Sequence, residues 1–151
     1  MSPIQKVAVF GASGTIGTHI TSGLIRANFK ITAITRLDST STFPDSIPVV
    51  RTDYTVPALT AALRGHDAVV SAVGVAGITK QRDMMDAAEA AGIARFVLSD
   101  FGYGPNHRRL PEFEAIGKPR LEVLEYAKEK ATANPAFTWS AIAIGNPIDW
   151  V

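Results

Sequence analysis

Cysteine is absent from the 151 residues, which excludes disulfides and thiolate chemistry and says nothing about compartment. Charge of one sign is lacking too. The formal net charge is +1, so no nucleic-acid or membrane partner is expected, and the short basic run His107-Arg108-Arg109 reads as a solvated loop. Long hydrophobic runs are missing, with no apolar stretch approaching a membrane span. The N-terminus enters strand-like sequence within a few residues, leaving no room for a secretory signal, and a cytoplasmic protein is the expectation. Internal repeats and low-complexity linkers are absent. No His/Cys/Asp cluster has metal-ligand spacing, and His19 and His66 lack acidic company, so no metal is expected. What remains is a chain with 46% hydrophobic residues, enough for one well-cored domain over residues 1–151 and too short for two comfortable ones.

The most informative segment present is Gly11-Ala12-Ser13-Gly14-Thr15-Ile16-Gly17. It follows the apolar run Lys6-Val7-Ala8-Val9-Phe10 and opens directly into helix-patterned sequence. A buried strand must turn sharply into a helix here, and glycine lets the backbone turn tightly and lie close to a pyrophosphate. The helix N-terminus then offers unpaired N–H groups and a positive dipole end to the phosphates. Gly11, Ser13, Gly14, Thr15, Ile16 and Gly17 are therefore candidate dinucleotide-binding residues.

Short apolar runs alternate with helix-patterned segments, which predicts an α/β fold with a doubly wound parallel sheet of the Rossmann type. Six strands are expected, at about Lys6 to Phe10, Lys30 to Thr35, Pro48 to Thr52, Ala68 to Ala72, Arg95 to Ser99 and Phe137 to Ile142. Ile16, Ile20 and Leu24 place one helical stripe against the sheet. Leu59 and Leu63 mark a second helix, and Met85, Ala88 and Ala91 a third that Gly92 ends. Leu121, Leu124, Ala127 and Ala131 line a last long helix, with Pro119 at its start. The irregular stretches Leu37 to Ile47 and Asp100 to Gly117 leave strands at the ligand-binding edge, where functional loops are expected.

The second strand bears on coenzyme choice, because the residue at its end, about twenty positions beyond the glycines, sits beside the adenosine ribose. The strand ends in Arg36, a planar cation suited to grip a 2′-phosphate, and NADPH is favoured. Asp38 is the competing residue, able to hold a free 2′-hydroxyl if the strand runs further, and a solvated strand-end charge is the ordinary alternative for Arg36. Asp53, ending the third strand, can accept a hydrogen bond from the adenine amino group or simply form a turn. Ser71-Ala72-Val73-Gly74 leaves the fourth strand, its small residues allowing either close coenzyme approach or close helix packing. Ala72, Val73 and Gly74 are counted as coenzyme-binding candidates.

Several of these features together resemble the isoflavone reductase-like branch of the NmrA-like family, atypical short-chain dehydrogenases that reduce phenylpropanoids and other secondary metabolites. They are the glycine motif, Thr35-Arg36, Asp53, Ser71 to Gly74 and, most specifically, Arg95-Phe96-Val97-Leu98-Ser99-Asp100-Phe101-Gly102, which looks like the family's fifth strand and the turn leaving it. The closing Phe137 to Ile142 and Gly145 to Trp150 are similar to fungal members. The resemblance implies an NADPH-dependent reductase of a small aromatic or conjugated metabolite. Its catalytic lysine corresponds to Lys118, which would assist proton transfer beside the hydride donor; a lysine at a helix start, opposing the macrodipole, suits such work, and a plain surface lysine is the alternative. Gly117-Lys118-Pro119 is spaced slightly differently from the plant pattern.

A rival constellation, Tyr126 and Lys130, has the Tyr-x-x-x-Lys spacing of classical short-chain dehydrogenases, but Tyr126 falls well inside its helix and Ser99 lies too far upstream. Full-length family members are considerably longer, and their further segments build the substrate pocket, so the resemblance implies that most of the substrate-binding portion is missing here. Phe101, Tyr103 and Trp150 offer aromatic surface to a planar substrate or to such a portion. An incomplete gene product or inactive fragment, a coenzyme-binding module and a small reductase that closes its pocket by homo-oligomer formation all stay open. The family also contains regulators that bind dinucleotides without turning them over, which supplies a non-catalytic sensor as the alternative function.

Overall fold

A computed structural model of the chain describes residues 3–102 and 111–145. The expectations placed on His107-Arg108-Arg109, Tyr103 and Trp150 lie outside these residues. The elements run β1 (Lys6–Phe10), α1 (Thr15–Arg26), β2 (Lys30–Arg36), β3 (Val49–Thr52), α2 (Val56–Leu63), β4 (Ala68–Ser71), α3 (Gln81–Ala90), β5 (Arg95–Leu98), α4 (Glu114–Ala133) and β6 (Thr138–Ala141), with short 3₁₀ turns at Val75–Gly77 and Pro111–Phe113. All strand pairs are parallel and the sheet order is β3-β2-β1-β4-β5-β6. The direction of winding reverses between β1 and β4, the place where doubly wound folds take their ligands.

The strands form where the apolar runs predict because a sheet covered on both faces buries residues of either parity. Val7 to Phe10 are all buried, and so are Ala68 to Ser71. One face carries α2, α3 and α4 over Phe10, Leu59, Leu63, Met84, Met85, Phe96 and Phe137. Phe96 and Phe137 meet there at 6.4 Å between ring centres. The other face packs Val7, Val9, Ile31, Ala33 and Val70 beneath Ile20 and Leu24 of α1, with Phe43 and Ile47 closing its β2–β3 end.

In α1 the expected stripe holds in part: Ile20 and Leu24 pack against the core, while the buried residues are Gly17 and Thr21. One helix differs from expectation. In α4 the helix begins at Glu114, five residues before Pro119, which sits inside it. A proline there lacks an N–H for the carbonyl of Ala115. Ala115 is exposed, so water can serve that carbonyl and the early turns survive. The C-terminus of α3 follows expectation: Gly92, at φ +78°, takes the left-handed conformation just beyond the helix. Among the described residues, no helix is long and apolar enough to cross a membrane.

Candidate functional site

A cleft of about 690 Å³ opens at the carboxyl ends of the strands. Its walls are Gly11, Ser13 and Gly14 from the first turn, Arg36, Leu37, Asp38, Ser39 and Ser41 from the β2 exit, Asp53 and Tyr54 from the β3 exit, and Ala72, Val73 and Gly74 from the β4 exit. Eight of the coenzyme-binding candidates thus meet in one cavity, Gly11, Ser13, Gly14, Arg36, Asp53, Ala72, Val73 and Gly74, together with the competing Asp38. Thr15, Ile16 and Gly17 do not line it as side chains; they form the first turn of α1 directly behind it.

Two glycines are required by the geometry. Gly11 sits at φ +69°, and a Cβ there would come within 2.5 Å of the Ala72 carbonyl oxygen, so the turn after β1 and the exit of β4 touch backbone to backbone. A Cβ at Gly17 would overlap the Gly11 carbonyl oxygen, which fixes how close α1 lies to that turn. The N-cap of α1 is Gly14, with no side-chain cap and no acidic residue in the first turn. The leading N–H groups of the helix are therefore left for a ligand or water to satisfy.

Charged groups come from the β2 and β3 exits and from Lys80, which lies beyond the β4 exit and pairs with Asp83 at 3.3 Å. Arg36 Nε lies 3.4 Å from Asp38 Oδ1, both side chains being largely exposed, so the two residues that compete as ribose readers are paired with each other. Asp53 Oδ1 accepts from the Thr55 backbone N–H at 3.0 Å and from the Thr55 hydroxyl at 2.8 Å. These hydrogen bonds hold its carboxyl below the usual aspartate value. Thr55 in turn caps α2 by accepting from the Ala58 N–H. Asp53 Oδ2 makes no hydrogen bond among the described residues, so the turn-forming role and an acceptor role are compatible in one side chain. Tyr54 follows at φ +62°, a conformation costing a bulky residue about 1–3 kcal/mol. Its ring packs edge-on against Phe10 at 5.7 Å, and burial pushes its phenol up to about 12, against the opposing pull of Arg36.

The β4 and β5 exits are tied from inside the core. Gln81, 1% exposed, accepts from the Ser99 N–H at 2.7 Å and donates to the Ile78 carbonyl at 3.3 Å. The Ser99 hydroxyl donates to the Val73 carbonyl at 2.7 Å. This relay fixes the cleft residue Val73 against the end of β5, and sequence reasoning missed Gln81 altogether. A signal existed: positions 81, 84, 85 and 88 form one helical stripe, and a glutamine on the buried stripe of Met84, Met85 and Ala88 must find internal partners.

Lys118 is exposed in the second turn of α4 and lines a separate shallow depression with Pro111, Glu112, Glu114, Ala115 and Pro119; the structure does not bring it to the cleft wall. The rival pair Tyr126 and Lys130 belongs to a helix–helix tie. Tyr126 Oη donates to Asp86 Oδ1 at 2.5 Å, and Lys130 Nζ reaches Asp86 Oδ1 at 2.8 Å and Glu89 Oε2 at 2.5 Å. Asn134 completes it through Glu89 Oε1 at 2.9 Å. Burial, and then the bond to Asp86, raise the Tyr126 phenol above its ordinary value, the reverse of what a proton-donating tyrosine needs. Among the described residues, no group of three or more His, Cys, Asp or Glu side chains could hold a metal ion.

Comparison with known proteins gives the same architecture. Residues 11–148 match the family model described as NAD(P)H-binding. "Oxidoreductase poxI" of Penicillium oxalicum is 55% identical over 150 residues, covering 99% of this chain and 48% of that protein. Isoflavone reductase superposes with a TM-score of 0.82 at 18% identity, over 98% of this chain and 52% of that one. The binary complex of leucoanthocyanidin reductase with NADPH from Vitis vinifera gives a TM-score of 0.80 at 21% identity, over 96% and 51%. At such identities the two structures establish the fold. The chain spans about half the length of these three proteins.

Proposed function

The chain belongs to the NAD(P)H-binding family, and from that premise we propose that it is the coenzyme-binding domain of an NADPH-dependent reductase of the atypical short-chain dehydrogenase class, acting on a small aromatic or conjugated metabolite. The observation that carries this reading is the contact of Gly11 with Ala72 at the point where the sheet reverses its winding, beneath an α1 N-terminus that no side chain caps. In this reading the N–H groups of Thr15, Ile16 and Gly17 face the pyrophosphate. Gly11, Ser13 and Gly14 let the backbone approach it, and Ala72, Val73 and Gly74 support the nicotinamide side. Arg36 reads the 2′-phosphate and Asp53 Oδ2 accepts from the adenine amino group. Bound NADPH supplies the hydride. Lys118 moves the accompanying proton, which requires substrate and the α4 end of the molecule to come together. The name of the Penicillium oxalicum relative supports the oxidoreductase class.

Isothermal titration of the purified chain with NADPH and NADH tests the reading. NADPH binding tighter by roughly tenfold to a hundredfold is expected if Arg36 makes one charge-assisted contact of about 1.5–3 kcal/mol. A folded sample giving no heat with either nucleotide at millimolar concentration would remove the site. One observation favours a second reading, a dinucleotide sensor without turnover: Lys118 lines a depression of its own, outside the cleft. Tight NADPH binding with no oxidation of NADPH by any enone or aryl-alkene would decide for the sensor.

A further inference from the structure

Arg51 lies outside the cleft wall, on the edge strand β3, where a charged side chain ordinarily does no more than stay in water. Its guanidinium does something else. Nη1 donates to the Ser39 carbonyl at 2.5 Å and Nη2 to the Ser41 carbonyl at 3.5 Å, two carbonyls of the segment that follows Arg36. The strand register explains the reach: Arg51 pairs with Thr35 and Thr52 with Arg36, so the side chain starts beside the β2 exit. The same segment is held at its other side by the glycine turn, Ser13 Oγ donating to Ser41 Oγ at 2.9 Å. Ser41 N donates to Ser39 Oγ at 3.3 Å, and Ser39 N to the Arg36 carbonyl at 3.1 Å. Beyond it the connection to β3 is anchored by different means, Ile47 being buried and Phe43 packed on the core.

The geometry points to Arg51 as a positioning residue for coenzyme selection: its fork straps the Ser39–Ser41 segment so that these two hydroxyls, with Arg36, form the wall that receives a 2′-phosphate. This deepens the NADPH reading and rests on it. Ser39 Oγ accepts from a backbone N–H and so keeps its own hydrogen to donate to a phosphate oxygen, and the Ser13–Ser41 pair shares one hydrogen bond between two rotatable hydroxyls, which leaves the other hydroxyl hydrogen of that pair to donate. A planar fork spans two carbonyls two residues apart; an ammonium is a point donor and does not fix both.

The test is calorimetric titration of wild type, Arg51→Ala and Arg51→Lys with four nucleotides: NADPH and 2′,5′-ADP, which carry the 2′-phosphate, and NADH and 5′-AMP, which do not. Arg51→Ala is expected to lose roughly tenfold in affinity for the first pair, the worth of one charge-assisted bond, and to stay within about twofold for the second. Arg51→Lys should recover only part of the loss. Equal losses on both pairs would make Arg51 a general structural residue, and full recovery with lysine would make it a charge effect; either overturns the strap, as does no loss at all. If Arg51→Ala does not fold, the Ser39→Ala/Ser41→Ala double variant carries the same selective expectation. Wild type that binds NADPH and NADH equally would instead overturn the coenzyme reading itself, which separates the two failures.

Discussion

On the β2–β3 side of the cleft the walls are loop residues near solvent, held by polar bonds between Arg36 and Asp38, Arg51 and the Ser39–Ser41 segment, and Ser13 and Ser41. On the β4–β5 side they are strand exits locked from the core through Gln81, Ser99 and Val73. The difference teaches where specificity and where framework reside. Exposed charge pairs contribute about 0–1 kcal/mol and can be exchanged for a ligand, whereas a buried and satisfied polar relay is costly to disturb and so fixes shape. In the proposed reading, the side that would read the coenzyme is adjustable, and the side that would hold the reacting ring is not.

The largest effect that would sharpen this contrast belongs to Lys118. If it moves the proton, Lys118→Ala should cut turnover by about 10²–10⁴-fold while leaving NADPH affinity unchanged, measured as NADPH absorbance loss beside a binding titration. Undiminished turnover would remove Lys118 and leave the chemistry unassigned. Next comes Arg36→Asp, which should weaken NADPH by roughly tenfold to a hundredfold and NADH much less, since it deletes the phosphate partner and adds like charge. Unchanged affinities for both, followed by intrinsic fluorescence, would turn Arg36 away from the ribose.

Smaller still is Asp38→Asn. Its carboxylate sits 3.4 Å from Arg36 Nε and would compete with a phosphate for the guanidinium. Releasing that competitor should tighten NADPH binding by up to about fivefold, the ceiling set by an exposed pair worth about 1 kcal/mol, with no gain for NADH. Weaker NADPH binding would mean that Asp38 orients the guanidinium instead of competing for it.

The smallest effect probes the far end of the sheet as a control. Asp67 Oδ2 accepts from the Gln5 and Lys6 N–H groups at 2.9 and 2.7 Å, which hold its carboxyl below the ordinary 3.8. A carboxyl lowered in the folded state stabilises above its unfolded value and loses that contribution as pH falls through the folded one. Thermal melts of Asp67→Asn and wild type should therefore differ at neutral pH and converge as pH drops below 3.8, with nucleotide selectivity untouched. A gap that persists in acid would show that the carboxylate charge is not what β1 uses.

The sheet was legible because parallel strands buried on both faces read as unbroken apolar runs, and the glycine turn because two of its positions leave no room for a Cβ. Arg36 and Asp38 were both visible at the β2 exit, but their mutual pairing was not, since an irregular segment has no periodicity from which side-chain direction can be read. The start of α4 was misplaced because Pro119 fits a first helical position well, and only the exposure of Ala115 shows why it is tolerated later. Nothing in the sequence announces the left-handed backbone of Tyr54, a residue type that rarely adopts it. Arg51 reads as an ordinary edge-strand cation until the fold brings the Ser39 and Ser41 carbonyls to it.

The tie among Tyr126, Asp86, Lys130, Glu89 and Asn134 welds two neighbouring cylinders along their outer seam. In the proposed reading, a swing that delivers Lys118 to a bound reactant would therefore drag α3 along or bend α4 ahead of Tyr126, and the missing rung between Ala115 and Pro119 puts a soft joint in the turn that carries Lys118.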